Sequence, residues 1–529
     1  MWAGTSRHFN SAARYLGLPV LVLVGVFVAW PTTHTLLRGV QWSTLRELID
    51  DENLRQTLWF TTWQACVSTV VTLAIGLPIT ALLSRVDFRL RSLTRAVTLV
   101  PFILPTLVVG MAIVAIFPAS HAAGIVPLIV AHAYLNIAVV VRIVGARWET
   151  LPLRLNEVAS NLGASRLKIF TTVSLPLLRE SILGAASLVF VFCFGTYGAA
   201  RVLAGPTHPT VETEIYRYSL LVGDLSRASA LAVAQIFFIG IVLFVSSCQR
   251  RIEATGRATR PIRDLPTPHR VAIRSTSLLV CAMMALPVLA LLLRSIEQSG
   301  RFTFSHWSHA LEKNGLGAHL TSALFSSLRI ALVATVIAVS VGLAAACTAA
   351  YSKSSVVRRI ISLIASLPVV VSAVILGLGY ILTFRSDPVD WRGSWWLLPI
   401  AHSATALPFV VRSLAPAISA IPGSLRDAAS ILGAKPFRIW RDIDLAFLKR
   451  PLAVAASLAA AISLGEFGAT SLLSRRGSET LTMSLGRLLG RPGSSLQGQA
   501  FVVASVLALL SIIITLTADR FFTSNKRTL

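Results

Sequence analysis

Charge is scarce in this chain. Only 13% of its 529 residues are Asp, Glu, Lys or Arg, while 54% are hydrophobic, and mean hydropathy is +0.72. Soluble globular chains carry about 25% charged residues, the polar shell around a core. Its shortage excludes an ordinary soluble domain, whereas a bilayer removes the need for that shell. Cysteine is scarce too. Cys66, Cys193, Cys248, Cys281 and Cys347 contain no C-x-x-C pair, so neither a zinc site nor a disulfide framework is indicated. They read as small residues of membrane helices. The phosphate-cradling loop G-x-x-x-x-G-K-[ST] is missing, so the chain is not itself a nucleotide hydrolase. The apolar runs hold no nucleophile–base pair or metal cluster, which argues against a membrane-bound enzyme. They hold almost no acid beyond Glu466, which argues against an ion-coupled secondary transporter.

What the chain has in abundance is long apolar runs. A spanning helix needs about 20 mostly apolar residues. Twelve runs qualify, at 16–37, 57–84, 97–117, 123–145, 180–204, 228–247, 272–294, 322–351, 358–384, 394–419, 450–473 and 497–517. The first follows Arg7 and Arg14 like a signal peptide, but it is long and lacks a clear small-x-small cleavage site, so it reads as an uncleaved helix. Pro101, Pro105 and Pro368 are expected to kink the third and ninth helices. The expected fold is all-α and polytopic.

The few charges are unevenly placed. Net charge is +25. Arg85, Arg89, Arg91 and Arg95 fall between the second and third runs. Arg250, Arg251, Arg257, Arg260, Arg263, Arg270 and Arg274 follow the sixth, and Arg520, Lys526 and Arg527 end the chain. Twelve spans put all of these on one side. Asp50, Asp51, Glu52, Glu212, Glu214, Asp224, Asp387 and Asp390 gather opposite, among a few arginines such as Arg201 and Arg475. The positive-inside rule then places both termini in the cytoplasm. Basic residues in short loops between spans do not make the single basic face of a nucleic-acid binder.

The chain also repeats itself. "LIVAHAYLNIAVVVR" around His132 aligns with "LPIAHSATALPFVVR" around His402, an offset of 270. The same offset joins Arg142 to Arg412, Gly163 to Gly433, Gly195 to Gly465 and Gly198 to Gly468. The halves are residues 1–247 and 272–529, with a basic, proline-containing linker at 248–271. An even number of spans in each half makes the repeat parallel, with a pathway expected where the halves meet.

Each half carries one polar interruption on the cytoplasmic side: "ETLPLRLNEVASNLGASRLKIFTTVSLPLLRE" (149–180) and "SAIPGSLRDAASILGAKPFRIWRDIDLAFLKR" (419–450). Each reads as a short amphipathic helix, a glycine turn and a second helix. Leu155, Val158, Ala159 and Leu162 recur at helical spacing, as do Leu425, Ala428, Ala429 and Leu432. A helix lying on the lipid surface is the plainer reading. Repetition once per half favours docking into two equivalent grooves of a partner.

These two segments resemble the coupling-loop signature of permease subunits of binding-protein-dependent ABC importers. That signature is an acid, two small residues, a glycine six positions after the acid, then aliphatic-x-Leu-Pro. Glu157, Val158, Ala159, Gly163, Val173, Leu175 and Pro176 fit the first copy. Asp427, Ala428, Ala429, Gly433, Ile443 and Leu445 fit the second. Val158 stands where a small residue is usual, and Ala446 replaces the proline, which suggests a less sharply ended second coupling helix. The resemblance implies a twelve-span fold of two six-helix halves in the bacterial inner membrane. It also implies a separate ATPase dimer that binds the ATP, a soluble substrate-binding protein, and no cofactor in this chain. The fused layout, with "GPTHPTVETEIYRYSLLVGDLSRASALAVAQ" (205–235) and "LKRPLAVAASLAAAISLGEFGATSLL" (448–473), is similar to the thiamine/thiamine pyrophosphate permeases. The iron(III) permeases share that layout.

Three further positions have two readings. Glu466, in the eleventh run, either lines the pathway for a cationic cargo or holds helices together through hydroxyl partners. His132 and His402 read as helix-packing residues rather than a metal pair. Arg142 and Arg412 read as snorkelling side chains.

Overall fold

The computed structural model describes residues 17–41, 46, 50–205, 207–247, 259–264, 266–312, 320–352, 354–385, 390–391, 393–474 and 479–523. Arg7, Arg14, Cys248, Arg250, Arg251, Arg257, Asp387, Arg475, Lys526 and Arg527 lie outside the described residues, with half of the linker.

The described residues are almost entirely helical, and the repeat is visible element by element. The first half contributes α1 (Leu18–Gly39), α2 (Glu52–Arg85), α3 (Arg91–Ile103), α4 (Thr106–Ile116), α5 (Ile125–Trp148), α6 (Leu153–Asn161), α7 (Leu167–Phe194), α8 (Gly198–Leu203), α9 (Val211–Tyr216) and α10 (Leu225–Ser247). The second half answers with α11 (Thr267–Ser295), a short α12 (Ser305–Leu311), α13 (Leu320–Tyr351), α14 (Ser355–Val369), α15 (Ala373–Thr383), α16 (Leu397–Ser419), α17 (Gly423–Ile431), α18 (Pro436–Gly465), α19 (Gly468–Leu473), α20 (Leu481–Leu489) and α21 (Ser494–Thr523). Among the described residues ten helices are long and apolar enough to cross a membrane, or twelve if α3–α4 and α14–α15 each count as one bent span.

Those two pairs bend by 107° and 94° at the prolines the sequence marks. Pro105 holds Leu104 in an extended conformation, because its ring disfavours helical backbone in the residue before it. Pro368 sits in a tight turn, and Ser372 restarts the chain by accepting the Ile375 N–H, an N-cap.

The runs at 180–204 and 450–473 depart from expectation. Each span begins far upstream, inside the polar segment, and stops at Phe194 or Gly465. A separate short helix, α8 or α19, follows. The glycines shared at offset 270 mark these breaks, but apolar composition continues across them and hides the interruption.

Two compact units divide the chain. One comprises Ile49–Thr213 and Ala234–Phe302; the other comprises Met1–Leu48, Glu214–Val233 and Thr303–Leu529. In the first, α2, α5 and α7 pack together, and α4 packs on α8. In the second, α13, α16 and α18 repeat the trio, and α15 packs on α19. Close approach relies on small residues: a Cβ on Gly342 would sit 2.5 Å from Val410. Four buried hydroxyls of α2 are satisfied within the helix itself: Thr61, Thr69, Thr72 and Thr80 donate to carbonyls one turn back. This lets α2 bury polar residues where water is absent.

The units cut across the sequence halves. α11, from the second half, covers the bent pair α3–α4 of the first. There Tyr134 donates to the Met284 carbonyl at 2.7 Å, and Thr94 meets the Ser277 hydroxyl at 2.5 Å. Correspondingly, α1 covers α14–α15, so closely that a Cβ on Gly379 would lie 2.8 Å from the Pro31 carbonyl oxygen.

Candidate coupling site

The polar segments fold as matched hairpins. α6 and α17 are nine residues each, and both begin directly after a proline, Pro152 or Pro422. Both end identically. Gly163 N–H reaches the Ser160 carbonyl and Ala164 N–H the Ala159 carbonyl, at 2.9 and 3.0 Å; Gly433 and Ala434 bond Ser430 and Ala429 at 3.0 and 3.0 Å. This double closure is a Schellman cap, which requires a left-handed residue. Gly163 and Gly433 supply it with φ of +81° and +79°. A Cβ on either would meet open space, so backbone conformation, not room, calls for glycine there. The replacement of proline by Ala446 does not blunt the second copy. Its helix has the same length and closure, because the cap and not the later proline ends it.

The apolar stripe of each hairpin points outward. Leu155, Val158 and Leu162 are exposed, Leu162 by 82%; Leu425 and Leu432 are exposed, Leu432 by 86%. Glu157, Asp427 and Ala428 are exposed as well, while Ala159 and Ala429 are half-buried on the flank. The described residues cover neither stripe. After a four-residue turn, 162–165 or 432–435, built on its glycine, each chain enters α7 or α18, 28 and 30 residues long. A widened turn at Phe170–Ser174 or Trp440–Asp444 continues each hairpin into its span without a loop.

The hairpins are moored differently. At the entry to α6, Glu149 pairs with Arg91 at 3.1 Å and with Arg95, and Arg85 donates to the Leu151 carbonyl at 2.8 Å. In the second copy the mooring lies inside the hairpin. Arg426 of α17 pairs with the buried Asp444 at 2.7 Å and donates to the Tyr351 hydroxyl at 2.9 Å. Arg426, Asp444 and Tyr351 come from three separate stretches of the chain, and no local spacing announces their meeting.

Away from the hairpins, Glu466 is 7% exposed. Its carboxylate accepts from the N–H groups of Ala469 and Thr470 at 3.0 and 3.1 Å and from the Thr470 hydroxyl at 2.9 Å. His402 Nε2 lies 3.3 Å away and His402 Nδ1 is 2.8 Å from the Ser463 hydroxyl. The acid therefore sits at the break between α18 and α19, on the first turn of α19, where unpaired N–H groups favour an anion. His132 meets the Ser68 hydroxyl at 3.1 Å. The histidines pack helices, and the packing also brings one of them to a carboxylate that no local spacing announces. Arg142 and Arg412 are exposed near the C-terminal ends of α5 and α16. Among the described residues no group of three or more His, Cys, Asp and Glu is placed to hold a metal ion.

Comparison with known proteins agrees with this geometry. The chain is 26% identical over 501 residues to the thiamine transport system permease protein ThiP of Brucella abortus (strain 2308), covering 90% of each chain. It is 24% identical over 526 residues to ThiP of Haemophilus influenzae (strain ATCC 51907 / DSM 11121 / KW20 / Rd), covering 95% of this chain and 94% of the relative. It is 23% identical over 501 residues to ThiP of Escherichia coli (strain K12), covering 90% and 91%. The family described as the inner membrane component of binding-protein-dependent transport systems matches twice, at residues 71–255 and 338–527, once around each hairpin. Two matches, two hairpins and ten to twelve spans agree: the chain belongs to this family of membrane permeases, with both of its domains in one polypeptide.

Proposed function

We propose that this permease is the pathway-forming subunit of an ATP-driven importer for thiamine or thiamine pyrophosphate. In this reading α6 and α17 dock into the two grooves of an ATPase dimer that binds the ATP, through Glu157, Ala159 and Gly163 in one copy and Asp427, Ala428, Ala429 and Gly433 in the other. A soluble binding protein delivers cargo to the opposite face. The chain lies in the bacterial inner membrane with both termini, and both hairpins, in the cytoplasm.

The single observation that carries the coupling role is the pair of identically capped hairpins whose apolar stripes are left uncovered. Burying one leucine side chain contributes about 1.5–3 kcal/mol, so two uncovered stripes are a standing drive toward a partner. Continuity supplies the lever. α7 spans about 42 Å at 1.5 Å per residue, and only the short turn at 162–165 joins it to α6. ATP shifts such a transporter only by favouring one arrangement over the other, and the hairpins are where that preference would enter the membrane. Thiamine as cargo rests on the relatives' names together with the fused layout. Glu466 fits the helix-holding reading better than the pathway reading, since its oxygens are engaged by α19 and His402.

The test is twofold. The cognate binding protein is assayed for retention of thiamine, thiamine pyrophosphate and ferric iron, and uptake of labelled thiamine is measured in vesicles with and without ATP. Retention of thiamine and ATP-dependent uptake are expected. Retention of ferric iron alone overturns the cargo; uptake independent of ATP overturns the importer.

A further inference from the structure

The two hairpins match in shape but not in how they are tied. At offset 270, Arg426 corresponds to Asn156 and Asp444 to Ser174, so the first copy cannot form the ion pair. In the second, Arg426 holds three elements at once. Its Nε bonds Asp444, which is 0% exposed, at the foot of α18. Its Nη2 bonds the hydroxyl of Tyr351, the last residue of α13, and its guanidinium lies 4.9 Å from that ring's centre. Among the described residues, Arg85, the last residue of α2, donates to the chain entering α6, at the Leu151 carbonyl, and not to α6 itself. A buried charge that loses its partner is strongly penalised, so Asp444 keeps α17 from tilting away from α18. Arginine suits this post because its planar fork can bond two acceptors in different directions.

Building on the coupling reading above, we propose that Arg426 is a positioning residue whose latch with Asp444 and Tyr351 makes the second hairpin a stiff lever, while the unlatched first hairpin is a compliant one. The two docking helices then transmit unequal shares of ATPase movement, although their caps are the same. The second copy carries the stroke into both α18 and α13, and the first yields at the joint between α6 and α7.

The experiment uses the full transporter, with its ATPase and binding protein, in liposomes, and reads thiamine moved per ATP hydrolysed. Arg426→Gln and Asp444→Asn each remove the ion pair and are expected to lower that ratio about tenfold or more, an effect on the scale of one charged hydrogen bond. Tyr351→Phe deletes a single O–H and should lower it less; Arg426→Lys, which keeps the charge but cannot fork, should restore part of the loss. Ser174→Ala, at the position equivalent to Asp444, should leave the ratio unchanged. Equal losses for Ser174→Ala and Asp444→Asn would overturn the asymmetry, and an unchanged ratio in Tyr351→Phe and Arg426→Gln would overturn the latch. Should Arg426→Gln fail to fold, Tyr351→Phe against Ser174→Ala decides. Cross-linking of the ATPase by Leu432→Cys in the same preparation separates the two ideas. No cross-link means the docking reading fails, whereas a cross-link with an unchanged ratio removes only the latch.

Discussion

The imidazole of His402 stands 3.3 Å from the carboxylate of Glu466, at the point where α18 breaks. The first half solves the same break with the residues exchanged. Thr196 occupies the position of Glu466, while Glu212 occupies that of Thr482. Glu212 is fully buried, bonded by Gln235, with an oxygen 3.7 Å from a Cβ placed on Gly195. Thr482 in turn donates to the Glu466 carbonyl at 3.2 Å. Each half therefore carries one buried acid at its helix break, supplied from opposite sides of the sequence. Glu466→Gln keeps the shape but turns one acceptor into a donor facing α19. It should cost about 1–3 kcal/mol, seen as a lower thermal midpoint, with transport per folded molecule retained. Loss of transport at an unchanged midpoint would return Glu466 to the cargo pathway.

The exposed stripes give a prediction with the opposite signature. Leu162→Asp and Leu432→Asp touch side chains more than four-fifths exposed, so stability should stay within about 0.5 kcal/mol. Association with the ATPase should fall at least tenfold per site, the equivalent of about 1.5 kcal/mol of lost apolar burial. Co-purification of the ATPase with the double variant checks it; unchanged recovery would remove the hairpins from the interface.

Orientation is checked separately. In a cysteine-free background, Leu162→Cys and Leu432→Cys should resist an impermeant thiol reagent applied to intact cells and react after lysis. Leu221→Cys, exposed beyond α9, should react from outside. Reversal of this pattern would invert the topology and place both termini in the periplasm.

Packing of α1 on α15 is tight enough to test by bulk. Gly379→Leu forces carbons against the Pro31 backbone and should destabilise by about 1–3 kcal/mol. Gly240→Ala, where nothing lies within 4 Å, should not. Thermal unfolding in detergent compares them; equal midpoints would mean that α1 is loosely held.

Several of these features are legible in the sequence. Spans announce themselves because a bilayer demands long apolar runs, and Pro105 and Pro368 mark the two bends, while Pro101 stays inside α3. The hairpins are legible because a polar, helical pattern recurs at constant offset with Gly163 and Gly433 at its turn. Other features are written in no local pattern. The breaks after Phe194 and Gly465 lie within unbroken apolar composition. Arg426, Asp444 and Tyr351 come from three elements, and His402 meets Glu466 only through the packing of α16 on α18 and α19. The partnership of α1 with α15 is likewise invisible, since helical periodicity says which face is buried but not against what.

That partnership has a consequence for how the protein is made. A polypeptide cut within the linker would not yield two self-sufficient proteins. Each fragment would hold the roof belonging to the other's bent helices and lack one for its own. Maturation is then mutual: the early product waits in the bilayer, with α3 and α4 bare, until translation delivers α11, and α1 waits longer still for α15.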